Sequence, residues 1–405
     1  MAVLSGARDH FQLPLALHEG ALLEALVTDW YWPADRAWFD RTAGRLLSHS
    51  VIEKRYQSGL ASNRVHVSKR ALAAFALMKL GRSTTLNPYK GAVLSREARD
   101  LALKGGAALI AYSTYGMPAF EERAVRPRHR ILFQMHPHPA TARQILEDEM
   151  ERVPLAKRSL STEYEFAITR QEYHRLCQEP ALANGWMVAS SYTAATLAEH
   201  GIPLDRIRIV PYGVNRSVFP QRSQSPQSRE PFRIVYVGSM IQRKGLSYLL
   251  DAVRLIGHRH VRVVLCGRGV IDHSLLDHYS DLPLEVHIGV RPDALVRLIQ
   301  ASDIFVLPSL TEGFAHVILE AMACGVPVLT TTNTCAPDVM CDGTHGFIVP
   351  IRTAEAIADR LTWAIDNRND LAAMGAAAAL QAGSFTWERF RAGVRDAYEQ
   401  ILAAD

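Results

Sequence analysis

The feature that most constrains this 405-residue chain is a regular alternation in its carboxyl-terminal half. Short apolar runs at 234–237, 261–266, 284–288, 304–307, 326–330 and 347–349 are separated by longer stretches of helical periodicity. Strands joined through helices run in the same direction, so the alternation predicts a parallel sheet covered by helices. Ligands of such sheets bind beyond the carboxyl ends of the strands, where Gly238, Gly267, Gly289 and Glu312 fall.

Upstream, apolar runs at 109–112, 131–135 and 186–189 read as strands of a second α/β unit, and 69–80 carries a helical pattern. No strand order follows from the first hundred residues. A chain of this length exceeds one ordinary core, which predicts two domains. Residues 215–231 are polar and contain three prolines, the composition of a linker. The expected division is an amino-terminal domain at 1–212, a linker at 213–231, a carboxyl-terminal domain at 232–384 and a closing helix within 385–405.

With 48% hydrophobic and 21% charged residues, the composition is that of a globular protein and not a disordered one. The opening residues lack the apolar run of a signal peptide, and no uninterrupted 18-residue apolar stretch occurs, so a cytoplasmic address is expected. The five cysteines are odd in number and scattered, as free thiols are. Cys335 and Cys341, even with His345 nearby, fit no zinc spacing. The net charge of +4 conceals an asymmetry: residues 1–130 carry 19 Lys or Arg against 11 Asp or Glu, and the remainder 26 against 30. The cluster Arg123, Arg126, Arg128 and Arg130 reads either as a solvated basic surface or as a contact for an anionic membrane or a lipid pyrophosphate. No nucleic-acid motif accompanies it, and nucleic acid is not an expected partner.

The chemistry concentrates between Pro308 and Val328. An apolar strand runs into a loop bearing Glu312, and a helix bearing Glu320 follows, expected to begin near Gly313 and to end at Gly325-Val326-Pro327. Open amides and the positive dipole end of a helix favour an anion, so Phe314, Ala315, His316 and Val317 are candidate phosphate contacts. Glu312 is placed to reach a sugar hydroxyl. Glu320, roughly two turns along the helix, is placed to hold a ribose diol.

This segment resembles the Glu-x7-Glu signature of the retaining nucleotide-sugar glycosyltransferases of family 4, with Glu312 and Glu320 as its two acids. The resemblance extends through Ile209-Val210-Pro211-Tyr212-Gly213-Val214-Asn215, Val235-Tyr236-Val237-Gly238-Ser239 with Arg243-Lys244-Gly245, and Val264-Leu265-Cys266-Gly267-Arg268-Gly269. It covers the carboxyl-terminal half well and the first 130 residues poorly. It implies an α/β fold of the GT-B type: two Rossmann-like domains facing a central cleft, with the last helix crossing back to the amino-terminal domain.

Around that core, Gly238 and Ser239 let a ligand approach the strand end, and Arg243 and Lys244 are spaced to meet a diphosphate. Many members of the family place an arginine directly after the glycine. Ser239 stands there in this chain, which shifts the expected load to Arg243. Gly267 opens a glycine turn that lacks the third glycine of a dinucleotide fingerprint and is read as lining a nucleotide pocket, with His287 beside the base. His136 falls where the family often has a strand-end histidine facing the transferred sugar, whereas His138 projects to the other side. On the acceptor side the candidates are Gly6, Arg8 and Asp9, without the family's paired glycines. Trp30-Tyr31-Trp32 reads equally as a sugar platform or as core packing.

The resemblance implies retaining transfer of a sugar from a nucleotide diphosphate donor to a glycan or lipid-linked hydroxyl, in surface polysaccharide or lipopolysaccharide assembly. Glu312, His136, Arg243 and Lys244 would be the catalytic set, at or near the inner face of the membrane. No metal or other cofactor is implied, and no Asp-x-Asp motif occurs. Two alternatives stay open: a sugar-nucleotide epimerase on a related scaffold, and a catalytically silent binding subunit. The pair of glutamates together with Arg243 and Lys244 argues against the second.

Overall fold

The structure is a computed structural model that describes residues 1–5, 8–32, 55–79, 86–121, 127–223, 231–257 and 260–404. Its strands form two sheets. The first contains β1 (Ala2–Val3), β2 (Leu26–Thr28), β3 (Val65–Val67), β4 (Leu109–Tyr112), β5 (Arg130–Gln134), β6 (Gly185–Val188) and β7 (Ile207–Ile209), in the order β3-β2-β1-β4-β5-β6-β7. The second contains β8 (Phe232–Val237), β9 (Val261–Gly267), β10 (Leu284–Ile288), β11 (Ile304–Leu307), β12 (Val328–Thr331) and β13 (Gly346–Val349), in the order β10-β9-β8-β11-β12-β13. Every pairing is parallel.

Helices cover both faces of each sheet, so the central strands are apolar on both sides: all four residues of β4, β6, β11 and β12 are buried. The outer strand β10 is only half covered, and Ile288 at its end is 62% exposed. Strand order reverses between β1 and β4 in the first sheet and between β8 and β11 in the second. Such reversals open a crevice at the carboxyl ends of the strands, and here the two crevices face each other. This is the α/β, GT-B arrangement of two Rossmann-like units around a cleft.

The chain crosses between the units twice at one place. The Val214 amide donates to the Phe385 carbonyl (2.9 Å), joining the outgoing segment to the returning one. Thr386 caps the last helix, Trp387–Ala403, by accepting from the Arg389 amide. That helix lies on the amino-terminal unit: Arg391 and Arg395 pair with Glu19 at 3.0 and 3.1 Å, and its own Phe390 and Val394 are buried. Of the expected linker, 224–230 lie outside the described residues. Arg222 already belongs to the second unit, its guanidinium donating to the Ser302 carbonyl at 2.7 Å.

Away from the crossings, one buried carboxylate gathers three groups of the opposite unit. Glu149, on the Pro139–Arg152 helix of the amino-terminal unit, is 0% exposed. It accepts from Gln242 (2.7 Å), Tyr248 (3.2 Å) and Arg352 (2.8 Å), all from the other unit. Arg352 also donates to the Ile145 carbonyl at 2.6 Å, and its backbone sits at φ +64°, a left-handed conformation that any residue with a Cβ adopts at a cost. Truncating one partner of a buried ion pair strands the other charge. Glu149→Ala is therefore expected to lower the free energy of unfolding by about 3 kcal/mol in urea titrations, with a smaller loss for Glu149→Gln, which keeps an acceptor for Gln242 and Tyr248.

Candidate active site

The second crevice opens where β8 and β11 part. After β8, Gly238 donates its amide to the Cys266 carbonyl, and the chain makes a short 3-10 turn at Gln242–Lys244. Gly245 ends the turn at φ +69°, where a Cβ would stand 1.9 Å from the Pro308 carbonyl oxygen. Only glycine allows the two loops to approach so closely. The Leu310 amide then donates to the Arg243 carbonyl (2.9 Å), fixing the β11 loop on the turn.

This packing gathers the charges. One oxygen of Glu312 receives both Arg243 (2.6 Å) and Lys244 (2.5 Å). Arg243 turns its Nε to Glu163 of the amino-terminal unit at 2.9 Å. Burial by itself would raise the Glu312 pKa, but Lys244 and then Arg243 outweigh it and hold the carboxyl below its ordinary range. Burial pulls Lys244 downward despite Glu312. For Arg243, burial is overcome by Glu312 and Glu163, which hold the guanidinium charged.

The helix carrying Glu320 begins at His316, later than Gly313, because Ala315 takes a left-handed conformation (φ +67°) and turns the chain into the helix. Among the described residues, the amides of Phe314 and Ala315 make no hydrogen bond, and those of His316 and Val317 lie in the first helical turn. They form the open, positive end of the helix. The Glu320 carboxylate has no hydrogen-bond or ion-pair partner among the described residues, and burial alone raises its pKa to about 7.

Gly313 marks where the units touch. Its carbonyl accepts from Ser190 (2.6 Å) and Thr193 (3.1 Å), and a Cβ would stand 1.7 Å from the Met135 carbonyl oxygen. Across that seam lies a cavity of about 370 Å³, lined by Glu312, Gly313 and Arg243 on one side and by Gln134, His136 and Glu163 on the other. His136 is exposed at the end of β5, and its charge acts on Glu312.

Residues 218–381 match the glycosyl transferases group 1 family. The D-inositol 3-phosphate glycosyltransferase of Paenarthrobacter aurescens is 29% identical over 223 residues, covering 51% of this chain and 55% of the relative. The chain thus aligns with about half the length of that curated relative. Among solved structures, sucrose-phosphate synthase from Thermosynechococcus elongatus superimposes with a TM-score of 0.67 at 17% identity, covering 100% of this chain and 99% of its own. Anabaena Alr3699/HepE in complex with UDP-glucose gives a TM-score of 0.61 at 13% identity, covering 99% of this chain and 100% of its own. At these identities the structures speak for the fold.

The remaining sequence candidates are more scattered. Ser239 uses its hydroxyl on the Arg268 carbonyl, and Gly267 packs against Met240. His287 is paired with Glu285 (2.7 Å) on the outer strand β10. His316 is stacked on Tyr212 at 4.6 Å, and burial lowers its pKa to about 4. Phe314 is buried beside the same tyrosine, and Val317 packs on the core. His138 does turn away from the cavity wall it borders: it caps the Pro139–Arg152 helix and stacks on His200.

On the expected acceptor side, Gly6 lies outside the described residues, and Arg8 is described only as the start of a 3-10 turn. Asp9 does not line the cavity. Its carboxylate accepts from the Leu13 amide (3.1 Å) and the Tyr112 hydroxyl, which fastens the strained turn Asp9-His10-Phe11 to the end of β4. Tyr31 and Trp32 are buried, so packing accounts for them. Arg123 and Arg126 lie outside the described residues, and Arg130 spends its guanidinium on the Leu182, Pro127 and Arg128 carbonyls. Cys335 is buried and Cys341 exposed, and the His345 ring accepts from the Cys341 amide.

Sequence reading missed Glu163, Glu165 and Glu149. The first two approach the site from a helical segment far along the chain, and charge on such a segment looks like solvated surface.

The raised Glu320 pKa has a defined consequence for stability. A folded-state pKa above the unfolded value means that the folded protein binds an extra proton between about pH 4.5 and 7. Its contribution is complete below that window and is lost as pH rises through it. Glu320→Gln is therefore expected to gain stability over wild type as pH goes from 5 to 8, measured as the difference between their urea unfolding free energies at each pH. A constant difference would remove the basis for an elevated pKa.

Proposed function

We propose that this chain is a retaining glycosyltransferase that moves a sugar from a nucleotide diphosphate sugar to a hydroxyl of a glycan or lipid-linked acceptor, with no metal in the reaction. The observation that carries this reading is the meeting of Arg243, Lys244 and Glu312 beside an open helix start, at the strand-order reversal of the second sheet. The family match over 218–381 and the UDP-glucose bound by HepE support it.

In this reading the diphosphate lies on the 314–317 amides with Arg243 and Lys244 against its outer phosphate. Glu320, half-buried and with an unpartnered carboxylate, accepts from the ribose hydroxyls. The bond between the anomeric carbon and the β-phosphate oxygen breaks as negative charge builds on that oxygen, which the two cations stabilise. The acceptor oxygen bonds to the anomeric carbon on the same face, and its proton passes to the leaving phosphate. Glu312 holds the cations in place and faces the sugar, with His136 across the seam. Closure of the two units excludes water that would otherwise consume the donor.

The acceptor belongs to surface polysaccharide or lipopolysaccharide assembly, with the protein resting at the inner membrane face. Among the described residues no helix is long and apolar enough to cross a membrane.

Calorimetry with uridine, guanosine and adenosine diphosphate sugars tests the donor site. One nucleotide family is expected to bind, at least roughly tenfold more weakly to Glu320→Ala, as removal of a charged hydrogen-bond partner implies. Arg243→Ala is expected to lose on the order of a hundredfold in turnover. Nucleoside diphosphate plus a lengthened glycan is the product expected. An isomerised, intact nucleotide sugar would establish an epimerase instead, and binding without any turnover a silent subunit.

A further inference from the structure

The cavity beside Glu312 offers two hydrogen-bond acceptors to which no other side chain among the described residues donates. Gln134, 3% exposed at the end of β5, lines it; the amide nitrogen donates to the His136 carbonyl (2.9 Å), and the Oε1 atom has no hydrogen-bond partner. Glu165 lines the same space from the Tyr164–Ala167 helix, and no other side chain among the described residues hydrogen-bonds its carboxylate. Burial, reinforced by the neighbouring charge of Glu163, raises its pKa against the opposing pull of its own amide and Arg243.

The other acids of the cavity are already engaged. Glu179 accepts from the Thr114, Gly116 and Met117 amides at 2.7, 2.8 and 2.9 Å. Glu163 and Glu312 share Arg243, which is the sole Lys or Arg among the described lining residues. Apart from the His136 imidazole, which already acts on Glu312, no further cationic side chain lines the described wall for an anionic substituent, whereas Gln134 and Glu165 both call for a donor. A buried acceptor left without a donor is costly, and supplying one is how such a wall gains affinity.

Building on the transferase reading, we propose that the sugar ring entering this cavity is uncharged or carries an amine, gives hydroxyl or ammonium hydrogen bonds to Gln134 and Glu165, and is discriminated against when it bears a carboxylate or phosphate. A second anion some 5 Å from an ionised carboxylate in a partly desolvated site is disfavoured by roughly a hundredfold. Glu165 is the specificity-determining residue of this wall. The ring belongs either to the donor or to the acceptor, and the two sources are separable.

In the donor arm, calorimetry compares nucleoside diphosphate hexose with the matching hexuronate, with the bare diphosphate as reference. In the acceptor arm, a methyl hexoside and its 6-phosphate compete against transfer at fixed donor. One arm is expected to favour the neutral ring by about a hundredfold in wild type, by less than about tenfold in Glu165→Gln, and to reverse toward the anionic ring in Glu165→Lys. Unchanged melting temperatures establish that both variants fold, and the partly exposed position of Glu165 makes that the expected result. Anionic rings bound as well as neutral ones in both arms, or a preference that persists unaltered in both variants, would overturn the inference. Bare diphosphate that fails to bind would instead bring down the transferase reading, and this wall's assignment with it.

Discussion

The contact on which the site rests is the pairing of Glu312 with Arg243 and Lys244. Moving such groups out of water costs several kcal/mol per ion, so they can be held together only if each compensates another. Glu312 supplies one negative charge to two cations, and the balance is completed by Glu163 from the other unit. The electrostatics of the cleft are therefore not a property of either unit alone. With the units apart, Arg243 loses Glu163 and becomes more available to a phosphate; with them together, a bound phosphate must compete with two carboxylates that are already in place.

The same dependence runs through the backbone. The Gln242–Lys244 turn is held from below by Gly245 against Pro308, and from across the seam by the bond between Gln242 and Glu149. Gln242 also accepts from the Ser247 amide (3.2 Å), which links this bond to the start of the next helix. The cations are thus positioned by a residue immediately before them whose own orientation is set by the opposite unit.

Much of the second unit was legible in the sequence because its central strands are buried on both faces and read as unbroken apolar runs. The Glu312 to Glu320 spacing was legible for a related reason, since strand, loop and helix follow one another locally. Boundaries slipped where backbone conformation outweighed residue type: Ala315 in a left-handed conformation delays its helix to His316, and β12 begins at Val328, after Pro327. The first hundred residues resisted reading because β1 has two residues and β2 and β3 three each, too few to display a period. Asp9 looked like a reactive loop acid, and only the fold brings the Tyr112 hydroxyl to it. Glu163 and Glu149 escaped for the same cause, their partners lying 80 or more residues away in sequence.

The double crossing at Val214 and Phe385 has a mechanical meaning. Two covalent connections that pass through one point, tied by a backbone hydrogen bond, resist sliding of one unit over the other but offer little resistance to rotation about that point. The Gly313 seam adjoins this pivot, because Phe314 and His316 pack on Tyr212 beside the outgoing segment, so a rotation about the crossing is passed directly to the helix start at the cavity. A short segment of chain that contributes nothing to the chemistry thereby ties the attitude of the two units to the shape of the helix start between them.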